Sequence, residues 1–242
     1  MLKRIAACGV IAFCGAASSA FADIYNANTD FPTKITSITP AVSMNGVWDY
    51  GFSPQLTPSV VSLDTGATSD YFTDGNADGF YQAPGVTLPT VLQNISGGNL
   101  PTERTITNWP NTLLLLHPGP TGNNSVVQFI APSTGTYTIS GEFIAMDSGE
   151  TTDSILSPTG ATLFTTDSSK TAASFYLSES LTKGQTIDFV VGLGPQGQFN
   201  NDSTGFNAVI TPEPGFYGIL ALGLAGLAFA VIRQRSVSGE IK

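Results

Sequence analysis

Sixteen carboxylates, one histidine and no cysteine are what residues 23–211 offer for chemistry. A serine triad would have to use His117, in Leu116-His117-Pro118-Gly119 at a strand end, and no G-x-S-x-G elbow accompanies it. A histidine at a strand-to-turn junction reads instead as a partner for loop backbone. Glycoside hydrolysis needs two carboxylates at a set separation. The glutamates of this region are Glu103, Glu142, Glu150 and Glu179, and no active-site motif surrounds them. The expectation is a protein without catalytic activity.

Two kinds of binding chemistry remain. Asp74-Gly-Asn76-Ala-Asp78-Gly79-Phe80 matches the first seven positions of an EF-hand-type loop, with oxygens at positions 1, 3 and 5, glycine at 6 and a main-chain carbonyl at 7. Position 12 is Gly85 and no helices flank the motif. That excludes a true EF-hand and leaves two readings. One is a calcium-binding β-loop with Asp74, Asn76, Asp78 and the Phe80 carbonyl as ligands; the other is an ion-free turn of the same composition. Carbohydrate binding needs an aromatic face for the C–H side of a sugar ring and polar side chains for its hydroxyls. Trp48, Tyr81 and Trp109 are the candidates, with Tyr50, Phe52 and Tyr71 nearby in sequence and Asp49, Gln82 and Asn108 beside them. Trp109, flanked by Asn108 and Pro110, is expected to be more exposed than Trp48.

The elements that must position these groups read as strands. Gly135 to Phe143 alternates, with Tyr137, Ile139 and Phe143 on one side and Thr136, Thr138, Ser140 and Glu142 on the other; Ile187, Phe189, Val191 and Leu193 repeat the pattern. Further strands are expected at 113–116, 125–130, 161–164, 174–177 and 205–210, and in the first half at 48–52, 60–63 and 71–72. Turn clusters such as Pro158-Thr159-Gly160 and Lys183-Gly184 separate them. No segment from 23 to 211 keeps a helical period for three turns. The expected fold is all-β, an antiparallel sandwich of jelly-roll type spanning 23–210.

The chain ends carry different signals. Lys3 and Arg4, the apolar run Ile5 to Ala17, and Ala20-Phe21-Ala22 before Asp23 form a secretory signal peptide over 1–22. Its removal takes away Cys8 and Cys14, which excludes disulfides and thiolate metal sites from the mature protein. In residues 23–211, four cationic side chains against sixteen carboxylates leave a net charge of −12. Such a surface repels nucleic acid and anionic headgroups. At the other end, Phe216 to Ile232 is uncharged over seventeen residues, with Arg233 and Arg235 directly after it. As a helix it would extend about 25 Å, close to a membrane span, with the arginines on the cytoplasmic side. Pro212 and Pro214 bracket Glu213 just before it. The prolines lack amide hydrogens, so this segment is expected to leave both helix and sheet and stand extended.

Pro212-Glu213-Pro214, the apolar helix and Arg233-Gln234-Arg235, in that order after an N-terminal signal peptide, resemble the PEP-CTERM sorting signal of Gram-negative bacteria. The resemblance covers residues 211–242. It implies one transmembrane helix, recognition and cleavage by an exosortase, and a destination in the cell envelope or outside, in association with exopolysaccharide and biofilm. Ala131 to Tyr137 and Leu181 to Ile187, each a turn leading into a strand, are similar to hairpins of carbohydrate-binding-like jelly rolls and of PEP-CTERM passenger domains. The expected function is thus a sorted, exported, non-catalytic matrix protein. The alternatives are a carbohydrate-binding module with bound calcium, or a glycan hydrolase.

Overall fold

A computed structural model describes residues 23–32, 46–54, 56, 60–62, 65–69, 76–83, 86–100, 106, 108–168, 171–213, 223–229 and 231. Fourteen strands occur among the described residues of the 23–213 region. They are β1 (Tyr25–Asn26), β2 (Trp48–Ser53), β3 (Val61–Ser62), β4 (Thr65–Ser69), β5 (Ala77–Ala83), β6 (Val86–Asn94) and β7 (Leu114–His117) in the first half. The second half adds β8 (Asn124–Ile130), β9 (Gly135–Ala145), β10 (Thr151–Leu156), β11 (Thr162–Asp167), β12 (Ala173–Leu181), β13 (Thr186–Leu193) and β14 (Thr204–Pro212).

The strands form two antiparallel sheets. The first has the order β12-β9-β14-β7-β6-β5-β4, with β1 beside β14; the second has the order β11-β10-β13-β8-β2-β3. Strands β7 to β14 account for β12-β9-β14-β7 in one sheet and β11-β10-β13-β8 in the other, the interleaving of a jelly roll. The earlier strands widen both sheets on the same side, β4 to β6 next to β7 and β2 and β3 next to β8.

Period-two patterning explains the packing. In β9, Tyr137, Ile139 and Phe143 turn inward, and in β13 Ile187, Phe189 and Val191 meet them in one core. Aromatic rings run through that core: Phe189 lies 5.0 Å from Phe206, Phe206 5.2 Å from Phe143, and Trp48 5.3 Å from Phe129 in an edge-on contact. A second, smaller core lies on the opposite face of the first sheet, where Leu100, Ile106, Trp109 and Leu113 cover Ala77, Tyr81, Leu92 and Leu115. Trp109 Nε1 donates to the Leu113 carbonyl at 2.9 Å, and Asn94 Nδ2 donates to the Trp109 carbonyl at 2.9 Å, which fastens this cover.

One end of the sandwich is polar inside. Asp153 on β10 is fully buried, and Thr151 Oγ1 donates to its Oδ1 at 2.8 Å. Thr204 Oγ1 and Ser168 Oγ lie 2.6 and 2.8 Å from that same threonine oxygen. Asp153 Oδ2 meets no hydrogen-bond partner among the described residues. Burial therefore pushes the Asp153 carboxyl up to about 8, with the Thr151 hydrogen bond pulling less strongly the other way.

At the C-terminal end, residues 223–229 are helical and exposed. No helix among the described residues is long and apolar enough to cross a membrane. Val231 is also helical and exposed; residues 216–222, 230 and 232 of the apolar run, Pro214, Arg233 and Arg235 lie outside the described residues, as do Ala20 and Ala22 of the expected signal peptide.

Pro212 departs from its expectation: it is the last residue of β14, paired with Tyr137 of β9. The Glu213 amide donates to the Thr136 carbonyl at 2.8 Å, so backbone groups of alternate residues, 213 and 211, face β9. The proline nitrogen faces the other side, where the pairing of β1 with β14 ends at Ile210. A missing N–H costs nothing there.

Candidate functional site

The outer face of the second sheet carries three cross-strand rows set by register. Leu156, Asp188, Gln128 and Asp49 form the first; Ser154, Val190, Val126 and Gly51 the second; Thr152 and Gly192 with Asn124 and Ser53 the third. In the first row Gln128 Nε2 donates to Asp188 Oδ1 at 2.8 Å, and burial raises the Asp188 carboxyl to about 6. In the second, Val126, Val190 and Leu156 pack with Val60 as a small apolar cluster.

A groove of about 300 Å³ opens over the second and third rows. Thr152 and Ser154 of β10, Val190, Gly192 and Leu193 of β13 and Asn124 of β8 line it, with Gly122, Pro54 and the half-exposed Leu56 at its rim. Gly192 leaves space here: a Cβ at that position would lie 2.5 Å from Asn124 Oδ1, and the asparagine amide would have to move. The glycine lets the asparagine amide lie across the floor. Thr152 Oγ1 donates to Asp167 Oδ1 at 2.8 Å, and Ser154 Oγ lies 3.1 Å from Thr165 Oγ1. Among the described residues the Asn124 amide has one long contact, Nδ2 to Ser53 Oγ at 3.5 Å. Each of the three polar groups therefore keeps hydrogen-bonding capacity toward the groove. Uncharged hydroxyls and an amide beside aliphatic walls suit a neutral polyhydroxylated ligand.

The aromatic candidates lie elsewhere. Trp48 is fully buried in the main core, where its Nε1 donates to Asp30 Oδ2 at 3.1 Å. Trp109, expected to be the more open of the two tryptophans, is 1 % exposed, and Tyr81 7 %. Both belong to the second core, so none of the three presents a ring to a ligand. The polar neighbours of Trp109 mark the turn that brings the ring down onto the sheet. Among the described residues of the strands, an exposed ring is offered by Tyr176 on edge strand β12, 77 % exposed, which sequence reasoning had not singled out.

Of the proposed calcium ligands, Asp74 lies outside the described residues. Asp78 and Phe80 are both in β5, paired with Gln93 and Val91 of β6, and Phe80 is in the main core. The second half of the motif is thus strand, and Asn76 directly precedes it. No group of three or more histidine, aspartate or glutamate side chains suited to a metal ion occurs among the described residues.

His117 is buried at the end of β7, and its Nδ1 donates to the Pro118 carbonyl at 2.8 Å. Burial lowers its pKa, and the Pro118 hydrogen bond and, after it, the Asp147 carboxylate oppose the shift only in part. A neutral imidazole fixed to its own loop is the backbone role expected for it.

No protein-family model matches the chain, and no curated protein does. Solved structures do. The CBM36-1 domain of a multidomain xylanase from the hindgut metagenome of Trinervitermes trinervoides is 16 % identical, with a TM-score of 0.31 over 52 % of this chain and 97 % of that one. A family 35 carbohydrate binding module from Clostridium thermocellum is 13 % identical, with a TM-score of 0.27 over 55 % of this chain and 87 % of that one. The Podospora anserina GH26-CBM35 β-(1,4)-mannanase is 14 % identical, with a TM-score of 0.29 over 62 % of this chain and 28 % of that one. At this level of similarity no residue role transfers.

Proposed function

We propose that residues 23–213 form a non-catalytic module that binds neutral polysaccharide in the groove over the second sheet. The observation that carries this reading is the groove lining: Asn124, Thr152 and Ser154 offer uncharged donors and acceptors between aliphatic walls. No charged side chain lines the groove among the described residues, and the net charge of −13 over residues 23–213 disfavours anionic polymers. Neutral glycans are the class that remains. Affinity electrophoresis through gels cast with neutral polysaccharides tests this. Asn124→Ala combined with Thr152→Ala is expected to weaken retention about tenfold, as the loss of two ligand hydrogen bonds would, with the thermal midpoint little changed. Equal migration of variant and parent on every retaining polysaccharide, or no retention on any of them, would overturn the reading.

We also propose that residues 211–242 are a PEP-CTERM sorting signal, which holds the domain in the inner membrane after the signal peptide has exported it, until exosortase cleavage sends it to the envelope or the exterior. The order of its parts supports this: signal peptide, Pro-Glu-Pro, seventeen uncharged residues and paired arginines. Association with exopolysaccharide would then be the biological setting of the groove. In cells lacking the processing protease, the full-length chain is expected in the membrane fraction. Its recovery there as the same shortened form found in parent cells would contradict the assignment.

A further inference from the structure

The Pro-Glu-Pro triplet does not begin as free linker. Pro212 pairs with Tyr137 at the end of β14, and the Glu213 amide donates to Thr136 at 2.8 Å. The Glu213 side chain lies on the outer face of the first sheet. There its Oε1 accepts from Ser178 Oγ at 3.1 Å and from Thr138 Oγ1 at 3.4 Å. Register accounts for the meeting: Thr138 of β9 stands opposite both Ser178 of β12 and Thr211 of β14. On that face β12 presents Ser174, Ser178 and Ser180, and Ser180 Oγ lies 3.4 Å from Thr136 Oγ1.

A protease that reads an extended peptide pairs with its backbone and encloses its side chains. A segment whose amide and carboxylate are already bound to its own domain cannot enter such a cleft without first leaving the sheet. We propose that the folded sandwich withholds the start of the triplet from proteolysis, holding it as the end of β14 through Thr136, Thr138 and Ser178. Processing then requires the strand end to peel, so the domain slows its own release once folded. The consequence for processing rests on the sorting-signal reading; the withholding itself does not.

Two measurements on the full-length chain, the first in detergent and the second in cells, test this. The first is amide hydrogen exchange at Glu213, expected to be at least tenfold slower than in the free peptide, and faster in Ser178→Ala with Thr138→Val. The second is processing in cells of the parent and of a variant with a four-residue Gly-Ser spacer between Thr211 and Pro212, which keeps the triplet but carries it off the sheet. The spacer variant is expected to be processed severalfold faster. Exchange at the free-peptide rate, or equal processing of the two chains, overturns the proposal. A protected Glu213 amide together with no processing of either chain leaves the withholding standing and removes the sorting-signal reading instead.

Discussion

Lowering the pH from 8 to about 6.5 is expected to stabilise the folded domain by about 2 kcal/mol, since one proton taken up on folding is worth about 1.4 kcal/mol per pH unit. Asp153 is the source. Its carboxyl sits at about 8 in the folded state against 3.8 unfolded, chiefly because burial disfavours the charge. Between those values the folded chain holds a proton that the unfolded chain releases. The stabilising contribution is therefore complete below about pH 4 and is lost as the pH rises towards 8. Asp188 and Asp202, each raised to about 6 mainly by burial, add to the gain only below about pH 6. His117 works the opposite way below its ordinary value of 6.5, which makes the interval from 8 to 6.5 the clean one. For a domain of this size the midpoint should rise by about 4–8 °C over that interval. Asp153→Asn, which cannot ionise, should flatten the slope. A parent midpoint that falls or stays level from pH 8 to 6.5 would show that this carboxyl ionises normally in the fold.

Trp48→Ala should cost about 3–5 kcal/mol, the range for deleting a large buried ring. The indole is fully enclosed between Phe129, at 5.3 Å, and Phe189, at 6.3 Å. Its Nε1 hydrogen bond also ties β2 to Asp30, which accepts in turn from the Asn26 amide at 3.0 Å. The substitution thus opens a cavity and loosens the N-terminal segment together. Trp48→Phe, which keeps most of the ring contact and loses only the hydrogen bond, should cost far less. Urea unfolding measures both. A Trp48→Ala loss below about 1 kcal/mol would mean that the ring is exposed after all, as a ligand platform requires.

The strands that alternate cleanly could be read from sequence, and those that carry polar groups inward could not. In β9 and β13 the inward positions are apolar, so period two was visible. In β10 the inward residues are Thr151, Asp153 and Ile155; Thr151 meets hydroxyls from distant segments, Thr204 and Ser168, and passes its own hydrogen bond to Asp153. Its sequence, Thr-Thr-Asp-Ser-Ile-Leu, therefore resembles a loop. β5 was hidden for a related reason: Asp78 and Gly79 have turn composition, yet pairing on both sides makes them strand. Trp109 was misjudged because its flanking residues describe a turn but not where the turn folds, and a second core outside the main one leaves no periodic trace. Pro212 was read from its missing N–H alone, whereas the direction of that nitrogen decides, and direction follows from register.

The groove was least legible of all. Asn124, Thr152 and Ser154 are ordinary residues in sequence, and only the register of β8, β13 and β10 brings them onto one face. A hint was present in that β10 places two uncharged hydroxyls, Thr152 and Ser154, at alternate outward positions beside a buried acid. Nothing local pairs them with Asn124 or with the glycine that makes room for its amide.

Titration of the isotopically labelled domain with a neutral oligosaccharide cut from a retaining polysaccharide, followed by backbone amide shifts, tests the central claim most directly. Saturable shifts at Asn124, Thr152, Ser154 and Gly192, with the outer face of the first sheet around Tyr176 unmoved, are the predicted result. Shifts confined to the Tyr176 face, or none at millimolar ligand, would contradict it.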